Sequence, residues 1–120
     1  MAGNFNQNIM AEFAQSGTSV NTTNGDNFTI NRACSVYDAY AVAHGATAGT
    51  VDIFHTNDTG GNEITSQLSV NAADQTLART TSIDDAKNAF TAGQILCIKK
   101  STQVSTSTFI YFNATGVTLS

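Results

Sequence analysis

Ala33-Cys34-Ser35-Val36-Tyr37-Asp38-Ala39-Tyr40-Ala41-Val42-Ala43-His44 is the stretch whose reading decides the fold. At the two-residue period of a strand, Cys34, Val36, Tyr40 and Val42 share one face, and Ser35, Tyr37, Ala39, Ala41 and Ala43 share the other. One face is bulky and the other small. A row of alanines lets a second sheet or a neighbouring subunit approach closely. The run Gly45-Ala46-Thr47-Ala48-Gly49 then breaks the strand.

Downstream the same alternation recurs. Thr50 to His55 reads as a strand with Val51, Ile53 and His55 opposite Asp52 and Phe54, and the Asn57–Asn62 loop turns the chain back. Ile64, Leu68 and Val70 continue on one face, followed by a shorter strand near Thr76 to Thr80. Ser82-Ile83-Asp84-Asp85-Ala86 has the form of a helix start, with Ser82 as cap and two carboxylates in the first turn, and Gly93 ends it. The last strands run from Gln94 to Lys99 and from Ser105 to Asn113, with Val117 and Leu119 closing the sheet. Upstream, strands are expected at 17–23 and 27–31, joined by Asn24-Gly25-Asp26, because both central positions of a type I′ turn need positive φ. About seven or eight strands and one short helical turn predict an all-β, single-domain β-sandwich, with a jelly roll as one topology that fits.

Residues 1–16 stand apart. Phe5, Ile9 and Phe13 recur at spacings of four and eight, which could line a short helix or an extended arm. The division is therefore an N-terminal arm, 1–16, docking on a neighbour or on its own domain, and a β-sandwich domain, 17–120.

Composition agrees. The chain has 120 residues, enough for one core, and only 12% are charged, about half the usual ~25%. Thr suits half-exposed strands, and Asn and Gly suit turns. Five basic against nine acidic residues, net −4, disfavour a nucleic-acid partner, which needs clustered Lys and Arg. Only Lys99 and Lys100 are adjacent. No apolar run is long enough to span a bilayer and the start lacks a signal-peptide pattern, so no membrane partner and cytoplasmic synthesis are expected. The absence of Pro suits paired or covered sheet edges. Cys34 and Cys97 lie in apolar strand patterns and are expected as buried free thiols.

The chemistry-bearing residues do not combine into an enzyme. His44 and His55 each end a strand, and no Gly-x-Ser-x-Gly elbow accompanies them. Asp84 and Asp85 are sequence neighbours and cannot flank a scissile glycosidic bond. Asn57, Asp58, Asn62 and Glu63 loosely resemble a calcium turn but depart from the EF-hand spacing, and two Cys and two His offer no zinc set. No metal or other cofactor is expected. Tyr40 and Tyr111 fit buried strand positions, which leaves Tyr37 as the best exposed aromatic contact.

The sequence resembles the small decoration, or cement, proteins on the heads of tailed bacteriophages. The likeness lies in Asn24-Gly25-Asp26 leading to Arg32-Ala33-Cys34, the long Ala/Val strand with its Gly-rich break, and Ser82-Ile83-Asp84-Asp85-Ala86 before Ala92-Gly93 and a hydrophobic strand. Phage tail and knob proteins share this Thr/Asn/Ala-rich style. The resemblance implies a virion structural protein, made in the host cytoplasm, which sits on the outer surface of the head, often as a trimer. There it would bind the major capsid protein lattice and hold neighbouring subunits together. The contacts expected on this reading are Phe5, Ile9 and Phe13 of the arm, Tyr37, and Ala39, Ala41 and Ala43 against a sister subunit. The alternative is a receptor- or glycan-binding module of a tail fibre or cell-surface protein, acting through loop 56–63.

Overall fold

The computed structural model describes residues 3–15, 25–44, 48–57, 59–71, 77–100 and 105–119. Among these the chain forms nine strands and no helix: β1 (Gly3–Gln15), β2 (Asp26–Thr29), β3 (Cys34–His44), β4 (Ala48–His55), β5 (Leu68–Asn71), β6 (Ala78–Arg79), β7 (Ala89–Phe90), β8 (Ile95–Lys100) and β9 (Ser105–Leu119). They build two antiparallel sheets. One has the order β1-β9-β3-β6, with β7 also on β3; the other has the order β2-β8-β4-β5. Pairing is nested: β1 with β9, β2 with β8, β3 with β6 and β7, and β4 with β5. The sheets face each other as a β-sandwich, as the alternation predicted.

The core lies between them. Val36, Ile110 and Phe112 from the first sheet meet Val51, Ile53, Leu68, Val70, Leu96 and Ile98 from the second. Each such side chain contributes roughly 1.5–3 kcal/mol when withdrawn from water. The inner face of β3 is not the one its strict alternation implies. Val36 pairs with Phe112 and Asp38 with Tyr111, which leaves Tyr37 as an extra residue in a β-bulge. A bulge moves the residues beyond it to the opposite face. Cys34 and Val36 before it, and Ala39, Ala41 and Ala43 after it, therefore all point inward and are buried. Small side chains there allow close approach: some Cα atoms of β3 and β5, in opposite sheets, come within 8 Å, against a usual sheet spacing of ~10 Å.

The N-terminal segment differs from a helix or a free arm in its secondary structure. A spacing of four satisfies a period of two as well as one of 3.6, and with β9 available as a partner the segment pairs as a strand. Its register runs from Gly3 opposite Leu119 to Gln15 opposite Thr106, with an irregularity between Phe5 and Gln7. Because β3 first meets β9 at Ala114, the pairs Gly3–Leu119 to Phe5–Val117 continue as a two-stranded ribbon beyond β3.

After Ser82 the chain makes one turn instead of a helix. The Lys87 amide donates to the Asp84 carbonyl at 3.0 Å, and the Ala86 amide to Asp84 Oδ1 at 2.9 Å. Asp84, not Ser82, caps the turn. β7 begins at Ala89, which leaves no room for a second turn. Gly25 has φ +76°, and a Cβ there would lie 2.7 Å from Cys97 Sγ and 3.1 Å from the Ile98 carbonyl oxygen. Glycine thus lets the start of β2 lie against β8. Residues 17–23 and Asn24, expected as a strand and half a turn, lie outside the described residues.

Candidate contact surface

The outer face of the first sheet carries the aromatic residues that the core does not use. Register places Tyr40 opposite Phe109, and Asp38 opposite Tyr111, on the β3 and β9 neighbours. On the other side of β9, Met10 lies opposite Tyr111 and Glu12 opposite Phe109. The Tyr40 and Phe109 rings stack with centroids 4.8 Å apart and 17° between planes, while Tyr111 lies 5.8 Å from Tyr40 and 6.0 Å from Tyr37. Such pairs add about 0.5–1.5 kcal/mol beyond area burial. Tyr37, lifted by the bulge, is 46% exposed, and Met10 is 50% exposed.

One charged pair borders this cluster. Arg79 Nη2 lies 2.8 Å from Asp38 Oδ2, and the Arg79 guanidinium sits 5.8 Å from the centre of the Tyr40 ring. The Tyr111 hydroxyl donates to that of Tyr40 across a long 3.5 Å. That hydrogen bond, followed by loss of water, raises the Tyr40 phenol above its ordinary range. With Arg79 and Asp38 paired, Glu12 is the one further charge on this face among the described residues, and the face is apolar at its centre and tipped by phenol hydroxyls. Such a surface sheds little bound water on contact.

The residues expected to make contacts separate into three groups. Tyr37 lies on this face. Ile9 and Phe13 pack partly against the core of their own chain, and the Phe5 side chain lies outside what the structure describes. Ala39, Ala41 and Ala43 are fully buried between the two sheets, so they have no surface to offer a sister subunit. The reason is the Tyr37 bulge. Tyr40, expected inside, is half-exposed on the outer face for the same reason, and Tyr111, also expected inside, is there because it alternates with the buried Ile110 and Phe112 of β9.

Beside β1 an open groove of about 190 Å³ separates the edges of the two sheets. Ile9, Ala11 and Phe13 form one wall and Phe28 and Ile30 the other, with Arg32 on the rim and Cys34 and Phe112 at the floor. The Phe13 and Phe28 rings meet across it with centroids 4.6 Å apart. Burial raises the Cys34 thiol above its usual range, and the Arg32 charge opposes this more weakly. Cys34 and Cys97 are both buried free thiols.

His44 and His55 end β3 and β4 as expected. His44 Nε2 lies 3.2 Å from Ser107 Oγ, a serine–histidine contact. Ser107 sits on a central strand, opposite Ala14 on one side and Val42 on the other. Neighbouring amides are thus committed to the ladders and not gathered to hold an oxyanion. His55 stacks on Phe90 at 4.4 Å and bonds the Ala89 carbonyl at 3.0 Å, which ties β4 to β7. In the 56–63 loop, Asn57 Oδ1 accepts from the Thr59 amide and from Asn62 Nδ2, and Glu63 Oε2 accepts from the Gly61 amide. These oxygens serve the loop itself. Among the described residues no three His, Cys, Asp or Glu side chains gather as a metal set.

No protein-family model matches the chain, and no curated protein matches it. Among solved structures, a chain of the acidic stable capsid structure of Helicobacter pylori bacteriophage KHP30 is similar to it, with a TM-score of 0.55 and 11% identity. The match covers 100% of this chain and 99% of that one. At this identity the two share a fold from end to end.

Proposed function

We propose that this protein is a structural component of a phage virion, more specifically a decoration protein that binds the outer shell of the head and bridges neighbouring capsid subunits. The observation that carries the reading is the end-to-end fold likeness to a chain from a phage capsid structure. The nested strand pairing supports it independently. A long antiparallel hairpin wrapped into two facing sheets, one of five strands and one of four, fits the jelly-roll arrangement common in viral capsid domains. The role is structural, not enzymatic.

The outer face of the first sheet is the shell contact on this reading, with Tyr37, Tyr40 and Tyr111 at its centre. An aromatic surface with few charges suits a partner present in many fixed copies, because modest affinity per site is multiplied by avidity. Binding only the assembled shell then stabilises the shell by mass action.

The test is co-sedimentation of the purified protein with capsid shells assembled without it, followed by electron microscopy. Decorated shells are expected, and Tyr37→Glu should weaken binding about tenfold or more, as loss of an aromatic anchor does, while the melting temperature stays within a few degrees. Bare shells, together with a positive response on a glycan array, would replace this reading with the glycan-binding one. Deleting residues 1–16 is a poor test, because it removes an edge strand of the sheet.

A further inference from the structure

The outer edge of β1 has no hydrogen-bonded strand beside it among the described residues, since β1 ends its sheet with β9 on the other side. Exposed edges are normally guarded by Pro, by inward-pointing charges or by short length. From Gln7 to Gln15 this edge has none of these guards, the register irregularity lying before it between Phe5 and Gln7. It is 13 residues long, the chain contains no Pro, and Asn8–Ala14 carries one charge, Glu12, which points outward. Its inward row, Ile9, Ala11 and Phe13, is only partly buried and looks into the open groove.

We propose that a second copy of this chain occupies this edge, its own β1 running antiparallel to the first across a two-fold axis at Ala11. The occupant follows from the edge's complementarity to itself. About Ala11, Ile9 meets Phe13 of the second copy, Met10 meets its Glu12, and Asn8 meets its Ala14. Inward residues meet inward residues, outward meet outward, and no like charges are opposed. An axis at Glu12 would oppose the two Glu12 carboxylates, and one at Met10 would set Gln7 against Phe13. The pairing joins the two four-stranded paths into one continuous sheet and closes the groove from its open side. The interface is isologous, the commonest form of subunit contact. It does not involve Tyr37, although Met10 and Glu12 border the aromatic face opposite Tyr111 and Phe109.

Sedimentation equilibrium of the purified chain across a dilution series, without shells, tests it. A monomer–dimer equilibrium is expected. Met10→Glu sets two pairs of like charges opposite each other and should raise the dimer Kd by about tenfold. Met10→Lys creates attractive pairs and should not weaken the dimer, and Met10→Glu with Glu12→Lys should restore it. Met10 and Glu12 are both on the outer face, so thermal melting should report folded protein in each case. In the dimer, consecutive amides from Asn8 to Ala14 should all exchange slowly, whereas a free edge leaves alternate ones fast. A monomer at every concentration, a trimer with fast-exchanging β1 amides, or equal effects of the two Met10 substitutions would overturn the proposal. All of these readouts are taken on the free chain without shells, so their failure is distinguishable from failure of the shell-binding experiment.

Discussion

Lys100 is fully buried, on the inner face of β8 opposite Val51. Withdrawal from water lowers its pKa from 10.5, and the charge of Asp26 on the adjacent strand partly offsets this. Folding therefore disfavours the ammonium form at neutral pH. Between the lowered folded-state pKa and 10.5 the unfolded chain binds more protons, so this group's contribution makes stability rise with pH across that window. Lys100→Met should stabilise the fold by about 1 kcal/mol at neutral pH, with the gain shrinking as pH rises toward 10.5. Urea denaturation of both proteins at neutral pH and near pH 10.5 checks it. The difference between the two cancels Cys34 and Tyr40, whose raised pKa values make stability fall with rising pH in the alkaline range. A difference that does not change with pH would show that Lys100 is not held at a cost.

At the scale of the element, the bulge at Tyr37 decides what β3 presents to each side. It turns Ala39, Ala41 and Ala43 toward the opposing sheet, where β5 comes within 8 Å. Ala41→Leu should therefore cost about 1–3 kcal/mol through overpacking, read as a lowered urea midpoint. An alanine on an exposed face would change stability by only about 0.5 kcal/mol or less. The same bulge marks the limit of what the sequence made legible. The strand at Cys34–His44, the one read as Thr50–His55 and found to begin two residues earlier at Ala48, and the apolar set Ile64, Leu68 and Val70 could be read because alternation is local. Gly93, in contrast, does not end the turn after Ser82, since β7 (Ala89–Phe90) lies between them. Which face of β3 is buried could not, because the bulge arises from register against Phe112 and Tyr111, far along the chain. Tyr40 was expected inside for that reason and Tyr111 because its strand was read without assigning its faces, so the aromatic face was visible only through Tyr37. β1 was ambiguous for a different cause. Phe5, Ile9 and Phe13 fit two periods at once, and only the presence of β9 selects the strand. The cap at Asp84 was missed by two residues, because the Ser82 carbonyl is engaged by Thr80 Oγ1 and the Ser66 amide.

For the whole molecule, nested pairing means that nearly every ladder joins segments distant in sequence. Loop-closure entropy must be met before those contacts form, so folding should be slow for a chain of this size, in the millisecond-to-second range. With no Pro in the sequence, refolding should lack the phase of about 10–100 s that prolyl isomerisation produces. Stopped-flow refolding after brief and after prolonged unfolding should give the same amplitudes; a slow phase that grows with time in denaturant would contradict this. The position of β9 carries one more consequence. It is the last of the nine strands to leave the ribosome, yet it lies between β1 and β3 in the middle of its sheet. A nascent chain lacking it holds the first sheet as two separate halves with raw edges, so the surface across β1, β9 and β3 exists only once translation has passed Leu119. Emergence of β9 thereby acts as a timer, keeping copies that still lack it from joining any assembly through that face.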